Sequence, residues 1–153
     1  MAEQTLIIIK PDGVQRHLVG DIISRFERKG FKIAAAKFMH ISKTTAKKHY
    51  AVHKDKPFYE EAVEYLSSSP VMVMVLEAEG VIKMARRMMG RTFGYEAKPG
   101  TIRGDFGSSR GFNLVHGSDS PGSAEYEIPL YFSPDEMIDY ELSDAKWLYG
   151  KND

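Results

Sequence analysis

The segment Val71–Leu76 constrains the fold more than any other part of the chain. Its six residues, Val-Met-Val-Met-Val-Leu, are all apolar and follow directly after Pro70. Because the side chains of a strand point alternately to its two faces, a strand with this sequence is apolar on both faces. Such a strand belongs in the centre of a sheet that is covered on most of each face. The chain is therefore expected to build a layered structure around this strand.

Three other segments have the composition of strands. Thr5–Ile9 is a run rich in β-branched residues that stops before the turn sequence Pro11-Asp12-Gly13. Lys10 is therefore expected to be the last residue of that strand. Phe31–Ile41 predicts a second strand, and Asn113–His116 predicts a short one that leads into a turn. Together with the central strand, these segments make up four strands.

The segments between the strands have helical periodicity. Their apolar residues recur at every third or fourth position, which places them on one face of a helix. Helices are expected over Val19–Phe26, Ser42–Val52, Pro57–Leu66 and Val81–Met88, after Pro121, and at a capping box in Ser133–Glu136. From Gly90 to Phe112 the sequence is rich in glycine and aperiodic. A connection of that length without regular structure is usually functional or disordered, and its basic residues favour a function.

The order of these elements indicates the fold class. Strand, helix, strand, two helices, strand, helix, long loop and strand make two βαβ halves. We expect an α/β protein, an α+β sandwich of the ferredoxin-like, split-βαβ type, with an antiparallel four-stranded sheet and covering helices. A small doubly wound sheet has the same pattern and stays an alternative. A length of 153 residues fits one domain, residues 1–153, since a single core typically takes ~100–150 residues.

The composition excludes several classes of function. Lys and Arg total 21 and Asp and Glu total 21, so the surface lacks the basic bias that extended contact with nucleic acid or an anionic membrane requires. The chain contains no cysteine, which excludes a disulfide framework, a thiol nucleophile and thiolate metal sites. The first residues do not resemble a signal peptide, and no apolar run approaches the ~20 residues of a membrane span. The expected location is the cytoplasm.

Basic residues are the candidates for holding an anionic ligand. Neither a Walker-A sequence nor Gly-x-Gly-x-x-Gly after a strand is present, so a nucleotide would have to be bound without a glycine-rich phosphate cradle. Arginine forks match phosphate oxygens in pairs, and a few convergent arginines can hold a triphosphate. Each of them taken alone is more often a solvated surface charge. The candidates are Lys10, Arg86, Arg87, Arg91, Arg103 and Arg110.

His116 is the candidate for covalent chemistry. It ends an apolar strand, so its imidazole is expected to be desolvated from behind and open in front, and a neutral histidine is a competent nucleophile or base. Glu127, on the helix after the turn, can reach back to the second ring nitrogen and fix the tautomer. Taken alone, His116 is better explained by a hydrogen-bonded structural histidine, and Glu127 by an exposed helix carboxylate.

Three other patterns carry less weight. His49 and His53 have the i, i+4 spacing of metal ligands, but no third ligand accompanies them in the sequence. Arg103-Gly104-Asp105 matches a cell-adhesion tripeptide by chance. The aromatic pair Phe58-Tyr59 is more often core packing than a platform for a base.

Two segments closely resemble the nucleoside diphosphate kinase family. One is the opening Ile9-Lys10-Pro11-Asp12-Gly13-Val14-Gln15-Arg16. The other, from Lys98 to Ser120, contains Lys-Pro-Gly-Thr-Ile-Arg-Gly-Asp-Phe and then Asn-Leu-Val-His-Gly-Ser-Asp-Ser. The resemblance covers Thr5 to Tyr149 and implies a phosphotransferase. Such an enzyme passes the γ-phosphate of a nucleoside triphosphate, typically ATP, to nucleoside diphosphates in a double displacement, with broad tolerance for base and sugar.

The resemblance also implies the catalytic residues. His116 matches the phosphorylated nucleophile, Glu127 the carboxylate on its other ring nitrogen, and Ser118 the hydroxyl that supports this carboxylate. Tyr50 and Lys10 match residues near the transferred group.

The same resemblance implies a nucleotide-binding set. Arg86, Thr92 and Arg103 match the residues that hold the phosphates. Lys10 and Asn113 match those that contact the sugar hydroxyls, and Asn113 counts with the catalytic residues as well. Phe58 matches the ring on which the base stacks. Magnesium is implied as a cofactor held mainly by the nucleotide's phosphates and water, without a dedicated protein cage.

The long loop departs from the family pattern. After Gly90 the family commonly has a small or acidic residue and then Thr-Asn-Pro or Thr-Asp-Pro, whereas this chain has Arg91-Thr92-Phe93-Gly94-Tyr95. We expect the aromatic residues to replace the stiffening effect of the proline by packing. The resemblance implies a homo-oligomer, usually a hexamer, in which this loop lies near a threefold axis. A catalytically inactive nucleotide sensor and a structural assembly protein are the rival hypotheses, and the combination of His116, Glu127 and Arg103 argues against both.

Overall fold

One antiparallel sheet forms the centre of residues 2–153, the part of the chain that the computed structural model describes. Its strands are β1 (Glu3–Ile9), β2 (Lys32–Met39), β3 (Val71–Ala78) and β4 (Val115–Gly117), arranged in the order β2-β3-β1-β4. Each strand is antiparallel to its neighbours. The segment Val71–Leu76 lies in an interior strand, as predicted. The antiparallel pairing has the ferredoxin-like arrangement and excludes the doubly wound alternative, whose sheet is parallel.

Helices connect and cover the strands. They are α1 (Pro11–Gln15), α2 (Val19–Arg28), α3 (Lys43–His49), α4 (Tyr59–Leu66), α5 (Val81–Met89), α6 (Ile102–Phe106) and α7 (Pro121–Tyr131). Short 3₁₀ turns lie between or after these helices, at Ala51–His53, Gly94–Glu96, Pro134–Glu136 and Ala145–Trp147. None of the helices within residues 2–153 has both the length and the apolar character needed to cross a membrane.

The sheet has a hydrophobic core on each face. Ile7 and Ile9 of β1 point to one face, where α2 and α5 pack against them through residues such as Phe26. Leu6 and Ile8 point to the other face, into a second cluster to which α3, α4 and α7 contribute. All four side chains of β1 are fully buried, and burial of each stabilises the fold by about 1.5–3 kcal/mol. Because both faces of the sheet are covered, the central strands are apolar on both faces.

Two strand ends differ from the prediction. The sequence Pro11-Asp12-Gly13 forms the first turn of helix α1 rather than a simple turn, because Pro11 occupies the first helical position and the Lys10 carbonyl accepts from Val14 N–H at 3.1 Å. Lys10 follows the last residue of β1 and is the N-cap of α1. Strand β4 begins at Val115 instead of Asn113, because Leu114 has φ of 72° and its left-handed backbone cannot continue a strand.

Two helical predictions also need correction. Helix α4 begins at Tyr59 with Phe58 as its N-cap, so Pro57 lies in the preceding turn and not in the helix. The Gly90–Phe112 loop contains regular structure after all, since Thr101 caps α6 by accepting from Gly104 N–H at 3.0 Å. The predicted capping box is present, with the Ser133 N–H donating to Glu136 Oε1 at 2.9 Å, although the turn it caps is a 3₁₀ turn.

Candidate active site

Lys10 and Asn113 meet where β1 ends and β4 begins. The Lys10 backbone N–H donates to the Leu114 carbonyl at 2.8 Å, and the Lys10 Nζ donates to Asn113 Oδ1, also at 2.8 Å. Both side chains are buried. The left-handed conformation of Leu114 is costly for a bulky residue, about 1–3 kcal/mol, and it keeps Asn113 outside the strand ladder. Asn113 is thereby available to bind Lys10.

The Lys10 ammonium lies in an environment that disfavours its charge. Burial lowers its pKa to about 7, the nearby Arg103 adds to the effect, and Asp12 opposes it. The ammonium also lies 5.7 Å from the centre of the Tyr65 ring, and the Tyr65 hydroxyl donates to Asp12. A ligand that brings negative charge to this point would relieve the desolvation of Lys10.

His116 is held by a carboxylate and a hydroxyl. Its Nε2 lies 2.9 Å from Glu127 Oε1, and the Ser118 hydroxyl donates to the same oxygen at 2.8 Å. Ser118 is fixed in turn by the backbone N–H of Leu6, which donates to its hydroxyl oxygen at 3.1 Å. A carboxylate accepts the proton of Nε2, so the lone pair of the neutral His116 ring lies on Nδ1.

The surroundings of His116 keep its ring neutral. Burial is the main cause of a pKa well below the usual range of histidine, and the positive charges of Lys10, Arg86 and Arg103 act in the same direction. Asp119 has the opposite, smaller effect. Burial also raises the pKa of Glu127. The neutral form of His116 therefore dominates at physiological pH, and a neutral imidazole is the nucleophilic form.

The two predicted arginines occupy different environments. Arg103 is buried and stabilises the loop through three hydrogen bonds to backbone carbonyls. Its Nε donates to Asn113 at 3.0 Å, its Nη1 to Gly90 at 3.0 Å and its Nη2 to Val115 at 2.7 Å. Arg86, at the end of α5, is exposed and donates to the Gly117 carbonyl at 2.9 Å. Both guanidinium groups keep further N–H donors beyond these bonds, since a guanidinium carries five.

A cavity of about 510 Å³ opens beside Lys10, between α4 and the Gly90–Phe112 loop. Its volume is in the range of small-molecule sites. Five of the predicted residues line it, namely Lys10, Tyr50, Phe58, Thr92 and Asn113. The aromatic rings of Tyr65, Phe93 and Phe112 lie on the same walls. A cavity of similar size, about 540 Å³, lies near the start of β2 and is lined by none of the predicted residues.

The ten predicted residues therefore lie in one region of the fold. Hydrogen bonds join Glu127 and Ser118 to His116, while the charges of Lys10, Arg86 and Arg103 act on its ring. The remaining four residues line the cavity.

Sequence reasoning missed His49. Its side chain is buried, its ring centre lies 4.5 Å from that of His116, and its Nδ1 lies 2.9 Å from the Tyr131 hydroxyl. It does not act with His53, whose ring packs against Phe58 at 5.3 Å. The i, i+4 spacing suggested His53 as the partner of His49, whereas the ring beside His49 is that of His116. The available signal was its position directly before Tyr50, the residue that caps the end of α3.

One group of side chains has metal-ligand atoms close together. Within residues 2–153, His49, His116 and Glu127 bring one ligand atom each within 4.8 Å of one another. Three cations, Lys10, Arg86 and Arg103, act on the same point. Their repulsion opposes the binding of a metal ion at this group, whereas it favours an anion.

A neutral histidine with an oriented tautomer, flanked by cations and next to an aromatic cavity, suits the class of enzymes that transfer an anionic group to or from a ring-containing substrate. Comparisons with known proteins specify this class. Residues 3–137 match the family model described as nucleoside diphosphate kinase. The chain belongs to the nucleoside diphosphate kinase family, and this makes it a phosphotransferase.

Individual members of this family are similar to the chain over nearly its full length. The chain is 52% identical to a nucleoside diphosphate kinase of Oceanobacillus iheyensis over 147 residues, which cover 96% of this chain and 99% of the relative. The structure of a halophilic nucleoside diphosphate kinase from Halobacterium salinarum in complex with CDP superposes with a TM-score of 0.95 and 45% identity, covering 98% and 100% of the two chains. A transition-state mimic of the Borrelia burgdorferi enzyme with bound vanadate and ADP has a TM-score of 0.89 and 37% identity, with 94% of each chain covered.

Proposed function

We propose that Nδ1 of His116 carries the phosphoryl group between the two substrates of this kinase, a nucleoside triphosphate and a nucleoside diphosphate. The observation that carries the proposal is the bond of 2.9 Å between His116 Nε2 and Glu127 Oε1. This hydrogen bond engages Nε2 with a carboxylate. The other ring nitrogen, Nδ1, keeps its lone pair free and lies beside buried cations. One related structure is a complex with CDP and another holds vanadate and ADP, which supports a nucleotide as ligand.

In the first half-reaction, the Nδ1 lone pair attacks the γ-phosphorus. The bond between this phosphorus and the β,γ-bridging oxygen breaks, and the nucleoside diphosphate leaves with that electron pair. The His116 ring gains positive charge as the N–P bond forms, and the Glu127 carboxylate on Nε2–H stabilises it. The second half-reaction is the reverse with another diphosphate, so that one site serves donor and acceptor in turn.

The binding residues surround this line of transfer. We assign the phosphates to Arg86, Thr92 and Arg103, and assign Lys10 and Tyr50 to the transferred group. The basic residues among them, Lys10, Arg86 and Arg103, would stabilise the equatorial oxygens, because phosphoryl transfer depends mainly on positioning and charge stabilisation.

The cavity accounts for the remaining parts of the nucleotide. Lys10 and Asn113, joined by their hydrogen bond, are assigned to the sugar hydroxyls. Phe58, at the cavity wall, is assigned to the base, and stacking tolerates every base because each has a π-face.

Mg²⁺ is the proposed cofactor. Around His116 the protein presents cations and few free carboxylates, and the Asp119 oxygen is already engaged by the Ser123 hydroxyl. This donor set fits an ion that the nucleotide's phosphate oxygens and water hold, because the Glu127 carboxylate is already bonded to His116. When bound, Mg²⁺ neutralises charge on the phosphates.

A homo-oligomer, a hexamer by family resemblance, is the proposed assembly. Within the isolated chain Trp147 is 80% exposed and Ile138 is 60% exposed, and burial of such side chains against another copy would stabilise an assembly. Closed symmetry would bring identical surfaces together. The cytoplasmic location and the absence of nucleic-acid and membrane partners stay predictions from the sequence.

Labelling of the protein tests the proposed intermediate. Wild-type enzyme incubated with γ-labelled ATP should gain label that is acid-labile and base-stable, as expected for a phosphohistidine, and should follow double-displacement kinetics. His116→Ala should lose both label and transfer while keeping its circular dichroism spectrum and nucleotide binding. His40→Ala is the matched control, because His40 is exposed and bonds only to the Ser67 carbonyl among the contacts described. Sequential kinetics without a phosphoenzyme would overturn the proposal.

A further inference from the structure

His49 touches the ring of the proposed nucleophile but takes no part in the chemistry derived above. It lies at the last position of α3, while His116 lies in β4, so the contact joins two different layers of the fold. The two ring planes cross at 75°, with 4.5 Å between their centres. The Tyr131 hydroxyl lies 2.9 Å from His49 Nδ1, and both residues are almost completely buried.

We propose that His49, fixed by Tyr131, is a positioning residue that packs against the His116 ring and holds its Nδ1 in line with the transferred phosphorus. This inference rests on the proposed role of His116. His49 itself would form no bond to the substrate.

One hydrogen bond alone leaves the His116 ring free to tilt. The Glu127 carboxylate holds the ring at a single atom, Nε2, and the imidazole can still swing about its side-chain torsions while this bond bends. An edge-to-face ring contact at 4.5 Å restrains the ring in a second direction. Such restraint matters because a misplacement of about 1 Å can cost roughly 100-fold in rate.

Tyr131 fixes His49 in the same way that Glu127 fixes His116. A buried imidazole needs a hydrogen-bond partner, and the Tyr131 hydroxyl provides one for Nδ1. Burial raises the pKa of Tyr131, so its hydroxyl stays protonated. Tyr131 is the last residue of α7, the helix that also carries Glu127, so a single helix supports both histidines.

His49 also has to be uncharged to fulfil this role. Burial lowers its pKa to about 3, and the neighbouring His116 adds to the effect. A charged His49 would compete for the Glu127 carboxylate that His116 needs. The groups that face the two rings are the cations Lys10, Arg86 and Arg103, the carboxylates Asp119 and Glu127, and the nearby His53, Tyr50 and Tyr131. Three of these eight are cationic, which further favours two neutral rings.

Two substitutions at His49 separate ring packing from other effects. His49→Asn removes the ring, and His49→Phe keeps a neutral ring of similar shape. In single-turnover experiments at saturating ATP, His49→Asn should phosphorylate His116 about 10- to 100-fold more slowly, while its KM for ATP stays within about 2-fold. His49→Phe should recover most of the lost rate, and Tyr131→Phe should lose a smaller factor than His49→Asn. His40→Phe is the surface control.

The pH profile adds a readout at the His116 ring itself, beside the split between rate and KM and the rescue by His49→Phe. Loss of the ring in His49→Asn lets water reach His116, which raises the pKa of His116 towards its ordinary value. Because the neutral form attacks, the acid limb of the phosphorylation rate should shift to higher pH in His49→Asn and much less in His49→Phe. Nitrogen NMR of His116 should show a reduced share of the tautomer with its lone pair on Nδ1.

The outcomes distinguish this inference from the proposed function. If wild-type enzyme forms no phosphohistidine, the role of His116 fails. If it does and His49→Asn has the wild-type rate and pH profile, the positioning role of His49 is wrong. The role is also wrong if the defect lies entirely in KM, or if His49→Phe is as slow as His49→Asn while both have wild-type unfolding midpoints.

Discussion

Gly94 and Gly107 pack backbone against backbone across the base of the Gly90–Phe112 loop. A β-carbon on Gly94 would overlap the carbonyl group of Gly107 and lie 2.7 Å from its Cα. Real β-carbons essentially never approach other atoms so closely. Gly94 is buried and its backbone does not have a positive φ, so glycine is required here by the close approach of two chain segments.

Gly94→Ala should disrupt the loop. Because the obstacle is backbone, the two segments have to separate, and we expect a loss of about 1–3 kcal/mol in the free energy of unfolding. Denaturant titration measures this loss. Gly20→Ala is the matched control, since Gly20 lies in α2 with open space around the added carbon, and its stability should stay equal or rise by about 1 kcal/mol. Equal stability of Gly94→Ala and wild type would show that the loop yields without cost.

The aromatic residues that flank Gly94 stack on one another. The rings of Phe93 and Tyr95 are nearly parallel, at 3° and 5.9 Å between centres, and the Arg110 guanidinium lies 5.6 Å from the Tyr95 ring. Both rings are exposed, Phe93 at 37% and Tyr95 at 52%, so within one chain they pack on each other and are not buried against the loop. Phe93 also lines the cavity, so the stack connects the stiffness of the loop to the proposed nucleotide site.

Removal of both rings should weaken stability and binding together. We expect the Phe93→Ala, Tyr95→Ala double variant to lose about 0.5–1.5 kcal/mol of unfolding free energy from the ring pair and several-fold in nucleotide affinity. Thermal denaturation and calorimetry with ADP measure the two effects. If the double variant equals wild type in both, the stack does not stiffen the loop.

Patterns of neighbouring residues predicted most of the fold. The unbroken apolar run Val71–Leu76 predicts an interior strand whatever the rest of the chain forms. Lys10 directly follows β1 and Asn113 precedes β4, and these two strands pair antiparallel with His116 opposite Ile8. Helix α6 was missed because five residues are too few to show a helical period. The residues alone suggested that Glu127 reaches His116, whereas the role of His116 as the nucleophile was inferred mainly from the resemblance to a known family.

Contacts between distant segments were beyond the reach of such patterns. The contact between His49 and His116 depends on how α3 packs on the sheet. The hydrophobic periodicity of a single segment does not determine this packing. The pairing of Gly94 with Gly107 and the left-handed Leu114 likewise arise from close approach in three dimensions. A residue's own type, glycine excepted, gives little sign of such constraints.

Phe58→Ala should weaken the binding of all nucleotides by a similar factor. If stacking is the main interaction with the base, the loss is about 1–3 kcal/mol for each nucleotide, and selectivity between purines should hardly change. Calorimetry with ADP, GDP and CDP measures it. Tyr126→Ala is the matched control, because Tyr126 is 50% exposed, compared with 48% for Phe58, and lies outside the cavity. A loss confined to one base would indicate that base edges are recognised instead.

Nucleotide binding should take up a proton through Lys10. Its pKa of about 7 without ligand lies below the usual 10.5, so Lys10 is mostly neutral at pH 8. Phosphate charge in the cavity favours the ammonium and raises this pKa, and up to about one proton should be bound with ADP at pH 8 and close to none at pH 6. Calorimetry in buffers of different ionisation enthalpy counts these protons.

The same shift affects the unliganded protein. Because the unfolded chain holds the Lys10 proton up to about pH 10.5, stability should rise with pH between about 7 and 10.5 as the folded state releases it. Lys10→Met should abolish both the proton uptake and this rise, while Lys83→Met, on the exposed face of α5, should change neither. Proton uptake by Lys10→Met equal to that of wild type would assign it to another group.

Arg103→Lys should destabilise the site although the charge is kept. The three guanidinium nitrogens of Arg103 each bind a different backbone carbonyl, and a lysine has one nitrogen on a stem of different reach. At least one of the carbonyls of Asn113, Gly90 and Val115 would lose its partner, at about 1–3 kcal/mol for each buried group left unsatisfied. We expect the unfolding free energy to fall by this amount, and hydrogen exchange to increase at Gly90 and across β4. Arg87→Lys, on the exposed side of α5, is the control and should change neither quantity. If Arg103→Lys is as stable as wild type and loses only nucleotide affinity, then Arg103 acts on the phosphates alone and its bonds to the backbone contribute nothing to the fold.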